Sequence, residues 1–133
     1  QTITITINGA ADDSIITIDS EAGDSATGAV TEDVDTDADT EGTQLEVTGS
    51  LTVTDADGDG GFNTTPTFSG STVEGGAQLG SLTIDAAGNW SYSVDNENST
   101  VQGLNESESI VETYTVATAD GQDTQTITIT INT

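Results

Sequence analysis

Residues 125–132 read QTITITIN, a strict alternation of threonine and isoleucine between a glutamine and an asparagine. Alternation with a period of two places successive side chains on opposite faces of an extended chain, and β-branched residues favour that conformation. One face of such a strand is apolar and the other is polar, which is typical of an antiparallel sheet that covers a core on one side. This stretch therefore predicts an all-β protein.

The same eight letters stand at residues 1–8, an offset of 124 residues. An exact repeat at this distance indicates a tandem array. We therefore interpret residues 1–12 as the last strand and linker of a preceding repeat, and residues 13–133 as one β-sandwich repeat. The alternative is that one good strand sequence is used twice. Both copies suit a single sheet position, and residues 125–132 should take it because their hairpin partner is close in sequence.

Alternation of apolar and small polar residues continues between the two copies, and no stretch shows helical periodicity over two turns. The candidate strands are Ser14 to Asp19, Leu45 to Thr54, Pro66 to Ser69, Ser81 to Ile84, Asn89 to Val94, Ile110 to Thr118 and Thr124 to Asn132. Seven short strands separated by turn residues predict an immunoglobulin- or cadherin-like Greek-key β-sandwich.

The segment 82–94 predicts a hairpin with residues 86–88 in its turn and Ile84 opposite Trp90. Gly49 interrupts the strand that begins at Leu45, which predicts a bulge or a bend there. The expected core consists of Leu45, Val47, Leu51, Val53, Leu82, Ile84, Trp90, Tyr92, Val94, Tyr114, Val116, Ile127, Ile129 and Ile131.

All charged side chains of the chain are acidic. It contains 24 aspartate and glutamate residues and no lysine, arginine or histidine, which gives a net charge of -24. No side chain can neutralise another, so counter-charge must come from solution, and hard oxygen-rich sites select calcium over softer metals. The same absence excludes histidine-based triads, lysine Schiff bases and cationic phosphate clamps. A carboxylate pair of glycosidase type stays chemically possible, but a chance pair is expected among so many acids. We therefore expect a calcium-dependent module that is not an enzyme, binds no nucleic acid and does not insert into membranes.

Strands that run alternately up and down gather the acidic connections at two ends of the sandwich. The end where the chain enters, here called the entry end, receives residues 8–13, 55–59, 85–89 and 120–123. The opposite exit end receives residues 32–41 with Asp95, Glu97, Glu106 and Glu108, beside Asn132. In a head-to-tail array each exit end would face the next entry end, where calcium finds carboxylate, amide and carbonyl oxygens.

Two runs of alternating acids favour metal binding, since alternate side chains of a tight turn can point towards one cation. The stronger candidate contains Asp55, Asp57 and Asp59, and the second lies in the long run with Asp35 and Asp37. Neither run is an EF-hand loop. The twelfth position of the first is a proline, and the sixth position of the second is a threonine where glycine is required.

Several motifs together resemble one known family. They are GAVTED at 28–33, GSLTVTDAD at 49–57, GSLTIDAAGNWSYSVD at 80–95, VQGLNE at 101–106 and YTVATADG at 114–121. From about Asp13 to Thr133 the chain resembles a VCBS-type repeat, an extender domain of large bacterial RTX adhesins. The resemblance implies type I secretion, folding outside the cell on meeting calcium, and a place at the bacterial cell surface.

The distribution of acids is also similar to that of cadherins, which implies ligands in the linker and at Glu32 and Glu106, although the fuller cadherin linker pattern is missing. The expected calcium ligands are Asp12, Asp13, Glu32, Asp35, Asp37, Asp55, Asp57, Asp59, Glu106 and Asp120. The expected partners are neighbouring repeats of the same chain, head to tail. The single repeat is expected to be a monomer, with strand exchange through residues 1–8 left open.

Two alternatives belong to other functional classes. A calcium-dependent carbohydrate-binding module would show exposed aromatic side chains, but the five aromatic residues here stand mostly at expected core positions. An ice-binding face could use the threonines of residues 1–8 and 125–132, although two strands make a small array. A glycan titration and thermal hysteresis would separate these alternatives from an extender.

Overall fold

The computed structural model describes residues 1–10, 12–32, 44–58 and 60–133. Its strands are β1 (Ile15–Thr17), β2 (Thr27–Thr31), β3 (Gln44–Ser50), β4 (Thr52–Thr54), β5 (Thr67–Ser71), β6 (Ser81–Ile84), β7 (Asn89–Asp95), β8 (Ser109–Ala117) and β9 (Thr124–Asn132). A one-turn helix, α1 (Ser99–Gln102), and two 3-10 turns, Ser20–Ala22 and Glu74–Gly76, are the other regular elements of the described residues. Among the described residues no helix is long and apolar enough to cross a lipid bilayer.

The strands form one four-stranded sheet, one three-stranded sheet and a two-stranded pair. The four-stranded sheet has the order β2-β9-β8-β5, the three-stranded sheet the order β3-β7-β6, and β1 pairs with β4. Strand β9 lies antiparallel to β8 and parallel to β2. The all-β prediction is therefore confirmed, and the arrangement is that of a β-sandwich-like fold.

The two larger sheets meet through aromatic and branched side chains. Tyr92 of β7 contacts Tyr114 of β8 edge to face, with ring centroids 6.0 Å apart. The indole N–H of Trp90 donates a hydrogen bond of 2.9 Å to the carbonyl oxygen of Ser25. The predicted core positions are buried, except that Val47 and Val53 are only partly buried against the core. Alternation within the strands therefore identified the core face of each sheet.

The predicted hairpin is confirmed: β6 pairs with β7, and Ile84 lies opposite Trp90. The prediction of a bulge at Gly49 was wrong, because Gly49 pairs with Trp90 in an unbroken ladder. A Cβ atom at Gly49 would overlap the indole ring of Trp90, so glycine makes room for the ring. The ladder between β5 and β8 is the one that shifts register, between Phe68 and Gly70.

Strand β2 was not among the predicted strands. Its sequence, TGAVT, contains glycine and alanine, which are poor strand formers. The strand forms because it pairs with β9 along its whole length and because Gly28 lets the Trp90 ring approach closely. The predicted strand 45–54 is in turn divided at Leu51 into β3 and β4.

Candidate cation-binding ends of the fold

The entry end brings three acidic segments together around Ser14. The Ser14 hydroxyl donates a hydrogen bond of 2.7 Å to Oδ2 of Asp55, and its backbone N–H donates one of 3.0 Å to Oδ2 of Asp120. The backbone N–H of Asp12 donates to Oδ2 of Asp57 at 2.7 Å. Because β1 pairs with β4, the residue before β1 lies directly beside the loop that follows β4. The linker and the loops 55–58 and 120–123 therefore share one surface.

These carboxylates hold the entering chain in place. Asp123 accepts a hydrogen bond of 2.9 Å from the backbone N–H of Ile16, so Ser14 and Ile16 are both fixed to the loop before β9. The Thr118 hydroxyl first, and then the Gln122 and Ser14 contacts, hold the pKa of Asp120 well below its usual range. Asp120 is therefore ionised at neutral pH. Every carboxylate oxygen here has a second lone pair, so a hydrogen bond does not prevent coordination of a cation.

The loop after β4 is shaped by Asp55 itself. Its Oδ1 accepts the backbone N–H of Asp57 at 2.7 Å, and its carbonyl oxygen accepts the N–H of Gly58 at 3.1 Å. Gly58 has a φ of 77°, which glycine adopts without strain. A shallow depression beside this turn is lined by Asp12, Asp13, Ile15, Thr54, Asp55 and Ala56.

The exit end contains a carboxylate oxygen without a partner. The backbone N–H of Glu32 donates a hydrogen bond of 2.9 Å to the carbonyl oxygen of Asn132, which fixes the end of β2 to the end of β9. Within the described part of the chain, Oε2 of Glu32 is buried and has no hydrogen-bond partner. A depression next to this junction is lined by Thr31, Glu106, Ser107, Glu108, Ser109, Asn132 and Thr133. A cation would satisfy an oxygen of this kind.

The loop that carries Glu106 is tightly folded. The Asn105 N–H donates to Oε2 of Glu108 at 2.7 Å, and the Glu108 N–H donates back to the Asn105 carbonyl oxygen at 2.9 Å. These contacts with Asn105 lower the pKa of Glu108. Ser107 between them has a φ of 72°. Glu106 is exposed at the tip of this loop.

The predicted ligands fall into three groups. Asp12, Asp13, Asp55, Asp57 and Asp120 lie at the entry end, and Glu32 and Glu106 lie at the exit end. Asp35, Asp37 and Asp59 lie outside the described residues. In residues 1–10, 12–32, 44–58 and 60–133, no three acidic side chains are grouped so that they could hold a metal ion. Calcium ligation by these residues stays a prediction.

Two residues that organise the entry end, and one acid beside β3, were not among the predicted site residues. Ser14 and Asp123 hold the entering segment, and Asp24 accepts hydrogen bonds from the hydroxyls of Ser50 and Thr52 at 2.9 and 2.6 Å. The Thr52 hydroxyl is the main reason that the pKa of Asp24 is lowered. The only available signal for Ser14 was a serine at the start of a predicted strand, and it indicated only a polar strand start.

Replacing Asp120 by asparagine should lower the thermal stability of the chain. Asparagine keeps one acceptor oxygen where Asp120 uses both, so either the Ser14 N–H or the Thr118 hydroxyl loses its partner. We expect a melting temperature lower by roughly 3 °C in EDTA at pH 7, measured by circular dichroism.

The pH dependence of this effect has a definite sign. The folded pKa of Asp120 is depressed, so its contribution is complete above the unfolded pKa of about 3.9 and disappears as the pH falls further. The difference between wild type and Asp120→Asn should therefore shrink below about pH 4. Glu97→Gln, which removes one exposed charge, is the control. Equal melting temperatures for the two variants at pH 7 would contradict the anchoring role.

Neither a scan against protein-family models nor a search of the curated proteins matched this chain. The functional conclusion therefore depends on the residues and their arrangement.

Proposed function

We propose that this chain is a calcium-stabilised extender repeat of a secreted bacterial adhesin held at the cell surface. The observation that carries the proposal is the charge: 24 acidic side chains and no basic side chain leave every carboxylate to be neutralised from solution. Among the described residues, the buried Oε2 of Glu32 has no hydrogen-bond partner, which supports the proposal because burying a carboxylate oxygen without a partner is costly. Calcium is the common extracellular cation that accepts such hard oxygen ligands.

The topology supports the finer assignment to the immunoglobulin- and cadherin-like sandwiches. If β3 and β4 are counted as one strand divided at Leu51, and β1 and β2 as one strand that changes sheets, seven strands remain. One layer then has the order β1-β4/β3-β7-β6 and the other β2-β9-β8-β5. A first strand shared between both layers, with its second half parallel to the last strand, agrees with that assignment.

At the exit end, Glu32, Glu106 and the oxygens of Asn132 would hold calcium together with acids of the next repeat. At the entry end, calcium ligands for the junction with the preceding repeat would come from Asp12, Asp13 and Asp57. The ion supplies positive charge and replaces water around the carboxylates. The chain's own residues fix where these oxygens lie, through the Glu32–Asn132 and Asp12–Asp57 hydrogen bonds.

The proposed role is mechanical and not catalytic. Extracellular calcium sites have dissociation constants of about 10⁻⁴ to 10⁻³ M, so a tenfold excess adds roughly 1.4 kcal/mol per independent site. Several sites would match the whole stability of a marginal domain. The self-repelling chain would stay loose in the calcium-poor cytosol, pass through a type I secretion system, and fold in millimolar calcium outside. The folded array would hold a distal binding domain away from the cell.

The aromatic residues give no support to the carbohydrate-binding alternative. Trp90, Tyr92, Tyr114 and Phe62 are buried, and Phe68 packs edge to face against Tyr114 with ring centroids 5.5 Å apart. Four of the five aromatic rings are therefore buried, and the fifth is partly buried against the core. The ice-binding alternative loses one of its two threonine strands, because residues 1–8 form no strand.

Thermal unfolding by circular dichroism tests the proposal, first in EDTA and then across a calcium titration to millimolar concentrations, with magnesium as the control ion. We expect a melting temperature that rises steeply with calcium and little with magnesium. Glu32→Gln should weaken that rise, whereas Glu46→Gln, its matched control on the exposed side of β3, should leave it unchanged. A melting temperature indifferent to EDTA would contradict calcium stabilisation and move the search to glycan titration.

A further inference from the structure

The first eight residues, here called the arm, form no strand, and all of them are exposed. Ile3, Ile5 and Ile7 are 82%, 79% and 91% exposed. Their counterparts in β9, at 127, 129 and 131, are each 0% exposed, although the two sequences are identical. Exposed isoleucines at every second position are unusual in a soluble protein and mark a surface that another partner covers.

We infer that the arm is a last strand for another copy of this fold, and that it binds in the position that β9 occupies. That position lies between two strands, β8 on one side and β2 on the other. Each residue of the arm has an identical counterpart in β9, so its side-chain contacts and both hydrogen-bond ladders would be reproduced, except for the pair of Ala117 with Thr124 at the start of β9. The arm therefore fits this position because its sequence is identical to residues 125–132.

The arm cannot reach the corresponding position in its own body. Ser14 is fixed at the entry end by Asp55 and Asp120, whereas an arm seated like β9 would place Asn8 at the exit end. A strand the length of β9 spans roughly 27 Å. The six residue steps from Asn8 to Ser14 cover at most about 21 Å when fully extended. The geometry therefore points to a second copy and not to rearrangement within one chain.

This inference rests on the tandem array of the proposed function and adds how consecutive repeats are connected. In an array the arm would complete the preceding body, and residues 9–13 would be the link to the next. Two intact single chains gain nothing by exchanging arms, because each arm would replace an identical β9 contact. The intact chain should therefore stay monomeric, and the arm should bind only a body whose own β9 is disabled.

Disulfide trapping between two full-length variants tests the inference, since the chain has no cysteine of its own. In the β8–β9 ladder Thr113 lies opposite Thr128, whose counterpart in the arm is Thr4. The acceptor carries Ile129→Asp to disable β9, Ile5→Asp to disable its own arm, and Thr113→Cys. The donor carries only Thr4→Cys. Both are mixed in millimolar calcium and oxidised, and the products are read by non-reducing electrophoresis and mass spectrometry.

We expect a 1:1 disulfide-linked heterodimer whose β-type circular dichroism exceeds the sum of the separate chains. A donor with Thr6→Cys is the register control, because its counterpart Thr130 lies opposite Val111, and its yield should be at least tenfold lower. A donor with both Thr4→Cys and Ile5→Asp should give no heterodimer. A second acceptor with Ile129→Ala in place of Ile129→Asp covers the case that the first is too unfolded to bind.

Absence of the heterodimer with both acceptors, or equal yields from the Thr4→Cys and Thr6→Cys donors, would overturn the inference. The outcome is separable from that of the calcium titration. If the heterodimer forms but the melting temperature does not depend on calcium, the role of the arm is supported and calcium stabilisation is contradicted. If calcium stabilises the chain but no heterodimer forms, only the role of the arm is contradicted.

Discussion

Replacing Glu112 by leucine should lower the free energy of unfolding by about 3 to 5 kcal/mol, although leucine is the more hydrophobic residue. Glu112 is a core residue of β8 with 0% of its surface exposed. Its carboxylate accepts hydrogen bonds from the hydroxyl of Tyr92 at 2.5 Å and from the backbone N–H groups of Leu79 and Gly80 at 2.6 and 3.1 Å. Leucine would leave the buried Tyr92 hydroxyl and the two part-buried backbone N–H groups without this acceptor.

The surrounding groups show that the carboxylate is built into the core. The connection between β5 and β6 is held to β8 through Leu79 and Gly80, so Glu112 joins the two layers. Burial first, and then the hydrogen bond and charge of Glu112, raise the pKa of Tyr92. Burial and the same charge raise the pKa of Tyr114. Both phenols therefore remain protonated at neutral pH, and Tyr92 remains a donor to the carboxylate.

Urea unfolding followed by the fluorescence of Trp90 measures this effect, with Glu112→Gln as the shape-conserving variant. Glutamine replaces one acceptor oxygen by an NH2 group, so at least one donor must face another donor, and we expect a loss of about 2 kcal/mol. Glu46→Gln, on the exposed side of β3, removes the same charge and is the control. Equal stability of the two glutamine variants would show that Glu112 is not needed as an acceptor.

The position of Glu112 illustrates what a sequence pattern can and cannot predict. Alternation along β8 places Glu112 on the same face as Ile110, Tyr114 and Val116, and all four are buried. The period of two is a local property of the strand, so the face is predictable. The donors come from residues 79 and 80, more than 30 positions away, and no local pattern contains them. The alternation therefore places Glu112 on the core face, although the expected core did not include it, and it gives no sign of the donors.

The same distinction holds for the glycines and for the entry end. Gly49 meets Trp90 as its partner on the neighbouring strand, and Gly28 meets Trp90 from the opposite sheet; a local sequence pattern contains neither contact. The meeting of the linker with the loops 55–58 and 120–123 follows from strands that alternate in direction, so it was predictable. The role of Ser14 as the donor that links Asp55 and Asp120 depends on side-chain placement to within hydrogen-bond distance and was not.

Gly88→Ala is expected to lower the free energy of unfolding by about 4 kcal/mol, the second large effect. Gly88 closes the β6–β7 hairpin with a φ of 97°, a conformation that costs an alanine roughly 1 to 2 kcal/mol. Its Cβ would also overlap the backbone carbonyl oxygen of Leu51 and lie 2.7 Å from the Phe62 ring. The Leu51 N–H donates to the Gly88 carbonyl oxygen at 2.9 Å, so relief of the overlap would break this contact.

Gly23→Ala separates the two causes. Gly23 has a φ of 88°, close to that of Gly88, but a Cβ there would meet nothing within 4 Å. This control therefore carries the conformational strain without the overlap, and we expect a loss of about 1 kcal/mol. Urea unfolding of both variants at the same calcium concentration measures the difference. Because the overlap at Gly88 is with backbone, a side-chain rotation cannot relieve it, so equal losses would mean that the hairpin does not pack against Leu51 in solution.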